Sequence, residues 1–371
     1  MLLNQSNCGA EGRESVRNDA CMKRMEETIP LDRVESPRTV FEDIPGESQR
    51  PDPLRRRTPT PYTAGLPVMG RTVKLETNDM RILAHAVEVF APYPGSLDGH
   101  VDFLWRIVIQ SHPQLTPPWP KRSAFSGNGL RFAEFGQRNF LAVDLDAREG
   151  IGFLAEGLAE DSLGMTCPFL ENMFLMSVGS LRLTSLRAAC VALGEKGLLL
   201  FGPPNSGKTT ASYLATKLGL EFHADEGVFL ELETGKLLAW GGFWPIAFRP
   251  ETLQFLPELR GCTRAFSYLD FTFYYVEKSQ LQAPEARPVT PVCCVFLERN
   301  TVSVPQVSPL SSIELSRRLA EDVLFKDDDR FDQQHAAVLS ALEKLPAYHL
   351  AYGDDPATAA GVFPSLLKMP A

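Results

Sequence analysis

Gly202, Pro203, Pro204, Asn205, Ser206, Gly207, Lys208 and Thr209 fit the pattern G-x-x-x-x-G-K-[ST] in full. Glycines let such a loop wrap closely, so that successive backbone N–H groups point at phosphate oxygens. A helix starting at the end of the loop adds its partial positive charge. At this spacing Lys208 is expected to reach the β- and γ-phosphates of a nucleoside triphosphate, and the Thr209 hydroxyl to ligate Mg²⁺. The flanks agree: the apolar run Gly197–Phe201 precedes the loop, and a helical pattern runs from Lys208 to about Leu218. The expected cofactors are ATP and Mg²⁺, held by the stretch Gly202–Thr210, with Thr210 as its last member.

Such chemistry also needs a carboxylate on the metal side. His223-Ala-Asp225-Glu226 ends the apolar run after the loop helix, with Asp225 17 residues beyond Lys208. One strand–loop–helix–strand unit thus delivers loop and carboxylates together. Two adjacent carboxylates at a strand end cannot point the same way. One binds Mg²⁺, directly or through water, and the other, or the same one after a shift, takes a proton from an attacking hydroxyl. The metal set is therefore Thr209, Asp225 and Glu226. Arg249, after the glycine- and aromatic-rich turn Gly241–Phe248, is a candidate for stabilising a transferring phosphoryl group, or else pairs with Glu251 or Glu258. Arg187 either binds a phosphate or the acceptor, or is a strand-edge charge. His223 is expected to pack within its strand. Trp240, Trp244 and Phe248 form either a platform for adenine or peptide, or part of the core.

From Ser185 through Thr209 and on to Ala224-Asp225-Glu226, the chain resembles bacterial HPr kinase/phosphorylase, and more closely the HPr-kinase-like proteins of peptide gene clusters. The resemblance implies an α/β fold with a nucleotide-binding core of the HPr-kinase/phosphoenolpyruvate-carboxykinase type. It implies a serine-type kinase acting on a protein or peptide. It makes Asp225 the general base and gives the phosphates and metal to Gly202, Gly207, Lys208 and Thr209. Glu226 stands where the family usually has a second Asp. Arg187 stands where a His is frequent, Thr210 replaces an acidic residue, and the family's long downstream loop is not recognisable in Gly241–Arg249. These departures point to a related kinase with an acceptor other than HPr. The alternative is a nucleotide-gated binding or regulatory protein that transfers nothing.

Residues 1–68 carry eight prolines but only two aromatics, Phe41 and Tyr62. Such a segment buries too little apolar surface to offset its ordering entropy and reads as a disordered tail, with Arg55-Arg56-Arg57 as a solvated run. Residues 69–168 read as a small α+β accessory module: a strand at Arg71–Glu76, a helix capped by Asn78 or Asp79 and running to about Phe90, a strand at 101–109, and a hairpin over 140–154. Residues 169–371 form the nucleotide-binding domain. Its expected elements are a buried helix from Phe169, a hairpin of 189–193 and 197–201, one strand over Glu221–Leu230, strands at 237–240, 265–276 and 292–297, a helix opened by the capping box Ser311-x-x-Glu314, a helix over 332–345, a strand at 348–352 and a helix over 354–367. Lys326–Arg330 reads as a solvated connection.

The whole chain has 371 residues, 44% apolar and 22% charged, with a net charge of −9, which is ordinary for a globular protein and disfavours a nucleic-acid partner. No run of about 18 apolar residues occurs, so no membrane span is expected. The seven scattered cysteines, with no CxxC pair, point to reducing cytosol. The partners expected are ATP and a protein or peptide acceptor, with homo-oligomers open.

Overall fold

The structure, a computed structural model, describes residues 58–94, 99–110, 122–135, 139–261, 264–268, 271–276, 286–324 and 328–369. The expected tail up to residue 57 with its arginine run, together with Cys8, Cys21, Cys262, Lys326 and Asp327, lies outside the described residues. The chain is a mixed α/β protein with several sheets, divided into two compact units. The described residues up to Leu181, with Ser267 and Tyr268, form the first; Arg182–Phe266 and the residues from Phe271 onward form the second.

In the first unit, strands β1 (Tyr62–Val68), β2 (Arg71–Thr77), β3 (Phe103–Gln110), β4 (Arg122–Gly127), β5 (Leu130–Phe135), β6 (Phe140–Asp144) and β7 (Glu149–Ala155) make one seven-stranded sheet in the order β1-β2-β3-β7-β6-β5-β4. Pairing is parallel from β2 through β3 to β7 and antiparallel elsewhere. Helix α1 (Met80–Phe90) starts as expected, with the Asp79 carboxylate accepting the Arg81 N–H, and buries Ile82, Ala86 and Phe90 at helical spacing. Helix α2 (Glu171–Ser177) is buried on every side and continues a π-helical run, Met165–Leu170.

Two boundaries differ from the sequence reading. Order begins before residue 69, because β1 pairs with β2 around Met69-Gly70, whose φ values of 49° and 78° suit a tight hairpin turn. Pro61 and Pro67 give the segment a linker's composition, yet Leu66 and Val68 alternate into the core. The unit boundary falls at Leu181, past the expected residue 168, because Phe169 packs on β7. A Cβ at Gly152 would lie 2.5 Å from Phe169 Cζ and 3.1 Å from Leu141 Cδ2. Gly152→Ala is therefore expected to overpack this unit and destabilise it by about 1–3 kcal/mol in urea titration.

The second unit is built on a six-stranded sheet. Its strands are β9 (Ala189–Leu193), β10 (Lys196–Phe201), β11 (Glu221–Ala224), β17 (Thr290–Arg299), β18 (Gln306–Pro309) and β19 (Ala347–Tyr352), in the order β11-β9-β10-β17-β19-β18. β9 and β10 form the expected hairpin, and β17 runs parallel to both β10 and β19. Alternation along β10 divides the core. Leu198 and Leu200 pack with Ala211 and Ala215 of helix α3 (Lys208–Thr216) and with Phe363 of a C-terminal helix. Leu199 and Phe201 pack with Leu315 and Leu319 of α4 (Ser312–Asp322) and Val338 and Leu342 of α5 (Asp332–Leu342). Only the serine half of the expected capping box forms: the Ser311 hydroxyl accepts the Glu314 N–H at 3.3 Å, while the Glu314 carboxylate turns to Arg317 and Arg318. The expected last helix is two, Pro356–Ala360 and Phe363–Lys368, with Pro364 in the first turn of the second.

The predicted single strand over Glu221–Leu230 is corrected. β11 stays in the six-stranded sheet, while β12 (Val228–Glu233) joins a separate sheet between β8 (Thr184–Leu186) and β13 (Lys236–Gly241). The predicted strand over 265–276 is likewise two, β15 (Arg264–Tyr268) and β16 (Phe271–Val276), with β14 (Ile246–Phe248) pairing to β16.

Candidate functional site

The break between β11 and β12 is the feature that exposes chemistry. Asp225, Glu226 and Gly227 form a three-residue turn, closed by the Gly227 N–H donating to the Asp225 C=O at 2.7 Å. Glu226 holds φ 56°, a left-handed conformation that costs a non-glycine residue on the order of 1 kcal/mol. The turn separates the two carboxylates: Asp225 is buried and Glu226 exposed. The Trp244 ring covers the turn, so that a Cβ at Gly227 would lie 2.9 Å from it, and meets Phe229 edge-on. Trp240 is core, its indole N–H bonded to Glu231 at 2.6 Å, and Phe248 is core beside Tyr213. His223 packs within its strand as expected, its Nε2 3.1 Å from the Ala239 C=O.

The glycine loop leaves the end of β10 and enters α3. Positive φ falls at Gly202 (145°), Asn205 (67°) and Gly207 (82°), the last being the residue that opens the helix. Gly207 is required for a second reason: a Cβ there would collide with the Tyr352 hydroxyl, which donates to the Ser206 C=O at 2.7 Å. The end of β19 thus braces the loop from below. The Ser206 hydroxyl is buried and has no hydrogen-bond partner among the described residues. An orphaned buried donor inside a glycine loop is one that a ligand can satisfy.

Lys208 is only 8% exposed, and its Nζ donates to the carbonyls of Gly202 (2.7 Å) and Pro203 (3.2 Å). Burial pulls its pKa down, while Glu226, Asp225 and Asp322 oppose that shift and Arg187 adds to it. Asp225 Oδ1 accepts the Thr209 hydroxyl at 2.9 Å. Burial, reinforced by the nearby Glu226 charge, pushes the Asp225 carboxyl up to about 7, against the bond from Thr209 and the charge of Lys208.

The structure therefore brings together the loop, Lys208, Thr209, Asp225 and Glu226. Arg249 precedes the 3-10 turn Pro250–Gln254, and among the described residues no side-chain hydrogen bond or ion pair ties it to the loop. Nor does it pair with Glu258, which bonds Lys217. The arginine whose charge acts on Lys208 is Arg187. Sequence reasoning missed Tyr352, which reaches the loop through the pairing of β19, and Asp322, at the end of α4, whose backbone C=O accepts the Arg187 N–H; neither has a local signal.

The donor set suits Mg²⁺. Thr209 and Asp225 offer hard oxygens in mutual contact. No group of three or more His, Cys, Asp or Glu that could hold a metal occurs among the described residues. One or two carboxylates, with phosphates and waters supplying the remainder, is how Mg²⁺ is ordinarily bound.

No family model and no curated protein matches the chain. Among solved structures, the Hpr(Ser) kinase/phosphatase from Coxiella burnetii aligns with 50% of this chain and 88% of its own, at 9% identity and a TM-score of 0.26.

Proposed function

We propose that this chain is an ATP- and Mg²⁺-dependent kinase of the HPr-kinase-like type, transferring the γ-phosphoryl group to a hydroxyl, of the serine kind, on a protein or peptide. The observation that carries the reading is the juxtaposition of Asp225 with the last residues of the glycine loop, joined by the bond from Thr209. A carboxylate held beside the residues expected to grip the phosphates is placed to take a proton from an attacking hydroxyl.

The residues have distinct tasks. The loop from Gly202 to Thr210 wraps the phosphates, and the Ser206 hydroxyl gains a partner there. Lys208 gives up its loop carbonyls and follows the terminal phosphates. Thr209 and Asp225 would hold Mg²⁺, with Glu226 at the rim; when bound, the ion neutralises charge on the phosphate oxygens. Asp225 accepts the proton as the acceptor oxygen attacks phosphorus and the bond to the ADP oxygen breaks.

The test is transfer of label from γ-labelled ATP to a serine-containing peptide library. Wild type is expected to label peptides. Lys208→Ala is expected to lose transfer by at least a hundredfold, through loss of a charge-assisted phosphate contact. ATP binding without transfer to any peptide or protein fraction would instead favour the nucleotide-gated binding protein.

A further inference from the structure

In the six-stranded sheet, β11, β10, β17 and β19 run parallel, so their carboxyl ends share one edge. The chain leaving β10 passes through the glycine loop and α3 to β11, away from β17, and α3 packs on the face of Leu198 and Leu200. The chain leaving β17 reaches β19 by way of α4 and α5, away from β10, and these helices pack on the face of Leu199 and Phe201. The strand order therefore reverses between β10 and β17. In open α/β sheets, ligands bind in the crevice outside the carboxyl ends at such a switch point.

The glycine loop forms one wall of that crevice, and the end of β17 forms the other. A Cβ at Gly202 would lie 2.7 Å from the Leu297 C=O, so the first residue of the loop rests on β17. Two residues on, Arg299 ends the strand directly opposite Tyr352, whose hydroxyl bonds the loop at Ser206. Leu297 and Tyr352 both pack on the α3 side of the sheet, and the strand period of two puts Arg299 on that side too. The Arg299 guanidinium donates to Asp354 at 3.1 Å. With side chains 50% and 98% exposed, this pair contributes little to stability and leaves the guanidinium open to a ligand.

Asp225 fixes which end of a nucleotide lies there. It ends β11, on the other side of β10 from β17, and accepts the Thr209 hydroxyl. An acceptor oxygen that gives its proton to Asp225 attacks phosphorus from that side, roughly in line with the departing ADP oxygen. The nucleoside then points away from Asp225, over the ends of β17 and β19.

We propose that the crevice between β10 and β17 is a nucleoside subsite, in which the Arg299 guanidinium stacks on the base. This rests on the nucleotide reading of the loop above. A guanidinium is planar and weakly hydrated, so it covers the face of a base in a way that an ammonium does not.

The test is calorimetry on the full chain with two Mg²⁺-loaded probes of equal charge: ATP, and ribose 5-triphosphate, which lacks the base. Wild type is expected to bind ATP roughly tenfold more tightly, the scale of one stacked base. Arg299→Ala is expected to bring ATP down to the affinity of the base-free probe, while that probe stays within about twofold of its wild-type value. Arg299→Lys, which keeps the charge and loses the plane, is expected to lose most of the preference as well. Equal binding of both probes by wild type would overturn the inference and leave the phosphate site of the loop intact. So would a preference that survives in either variant, or an equal loss of both probes in Arg299→Ala, which marks a general effect of charge or folding. Failure of wild type to bind either probe would overturn the nucleotide reading together with this one.

Discussion

Asp225→Asn is expected to abolish phosphotransfer while making the protein more heat-resistant. The two effects have one cause. The Asp225 carboxyl is buried beside Glu226 and holds its proton up to about pH 7, against an ordinary value of 3.8. Between those values the folded state binds more protons than the unfolded state, so this group's contribution to stability falls as pH rises from about 4 to about 7. At neutral pH the folded chain carries a charge its surroundings disfavour. Asparagine removes the charge yet still accepts the Thr209 hydroxyl. The expected gain is on the order of 2 kcal/mol, or several degrees in thermal midpoint, in buffer with chelator and no nucleotide, and it should vanish near pH 4. The same substitution removes the proton acceptor and should slow transfer by roughly 10²–10⁴-fold. Lower stability at pH 7.5, or full activity, would contradict the assignment.

Gly207→Ala is expected to destabilise the second unit and to cost it nucleotide binding. It asks alanine to adopt φ 82° and drives a methyl group into the Tyr352 hydroxyl. The backbone cost is on the order of 1 kcal/mol and the collision adds to it, so a loss of about 2–4 kcal/mol with loss of nucleotide binding is expected. Tyr352→Phe separates the two terms. Alone it forfeits the bond to the Ser206 carbonyl, worth about 1 kcal/mol. In its presence the alanine methyl faces only the ring carbon, 3.3 Å away, so Gly207→Ala should cost less there than in wild type. A double-mutant cycle in urea should give a coupling of about 0.5–3 kcal/mol. Additive effects would show that Tyr352 does not brace the loop.

The pieces of this site that are local in the chain were legible before the structure. The glycine loop, the hairpin before it, the helix after it and the acidic pair follow from spacing and period. The acidic turn was harder to read, because Phe222, Val228 and Leu230 are all apolar and buried, so the run looks continuous while Glu226 bends it into a second sheet. Nothing in the composition marks a left-handed glutamate. Tyr352 and Asp322 were illegible for a different reason. Each is placed by non-local pairing: β19 through its parallel register with β17, and the end of α4 through its bridge to β8. Arg249 is singled out by its residue type after a glycine-rich turn, and among the described residues no bond ties it to the loop, whereas the charge of Arg187 acts on Lys208. Strand β1 was hidden by Pro61 and Pro67, whose composition reads as linker although the strand's buried face alternates cleanly.

The central claim is that the glycine loop binds a nucleoside triphosphate with Asp225 poised beside it. Calorimetric titration with Mg–ATP tests it most directly, on wild type, Lys208→Ala and Asp225→Ala. Wild type is expected to bind, Lys208→Ala to lose binding, and Asp225→Ala to bind more weakly than wild type, since one metal oxygen is lost, but better than Lys208→Ala. No binding by wild type at millimolar Mg–ATP, or equal binding by Lys208→Ala, would contradict it.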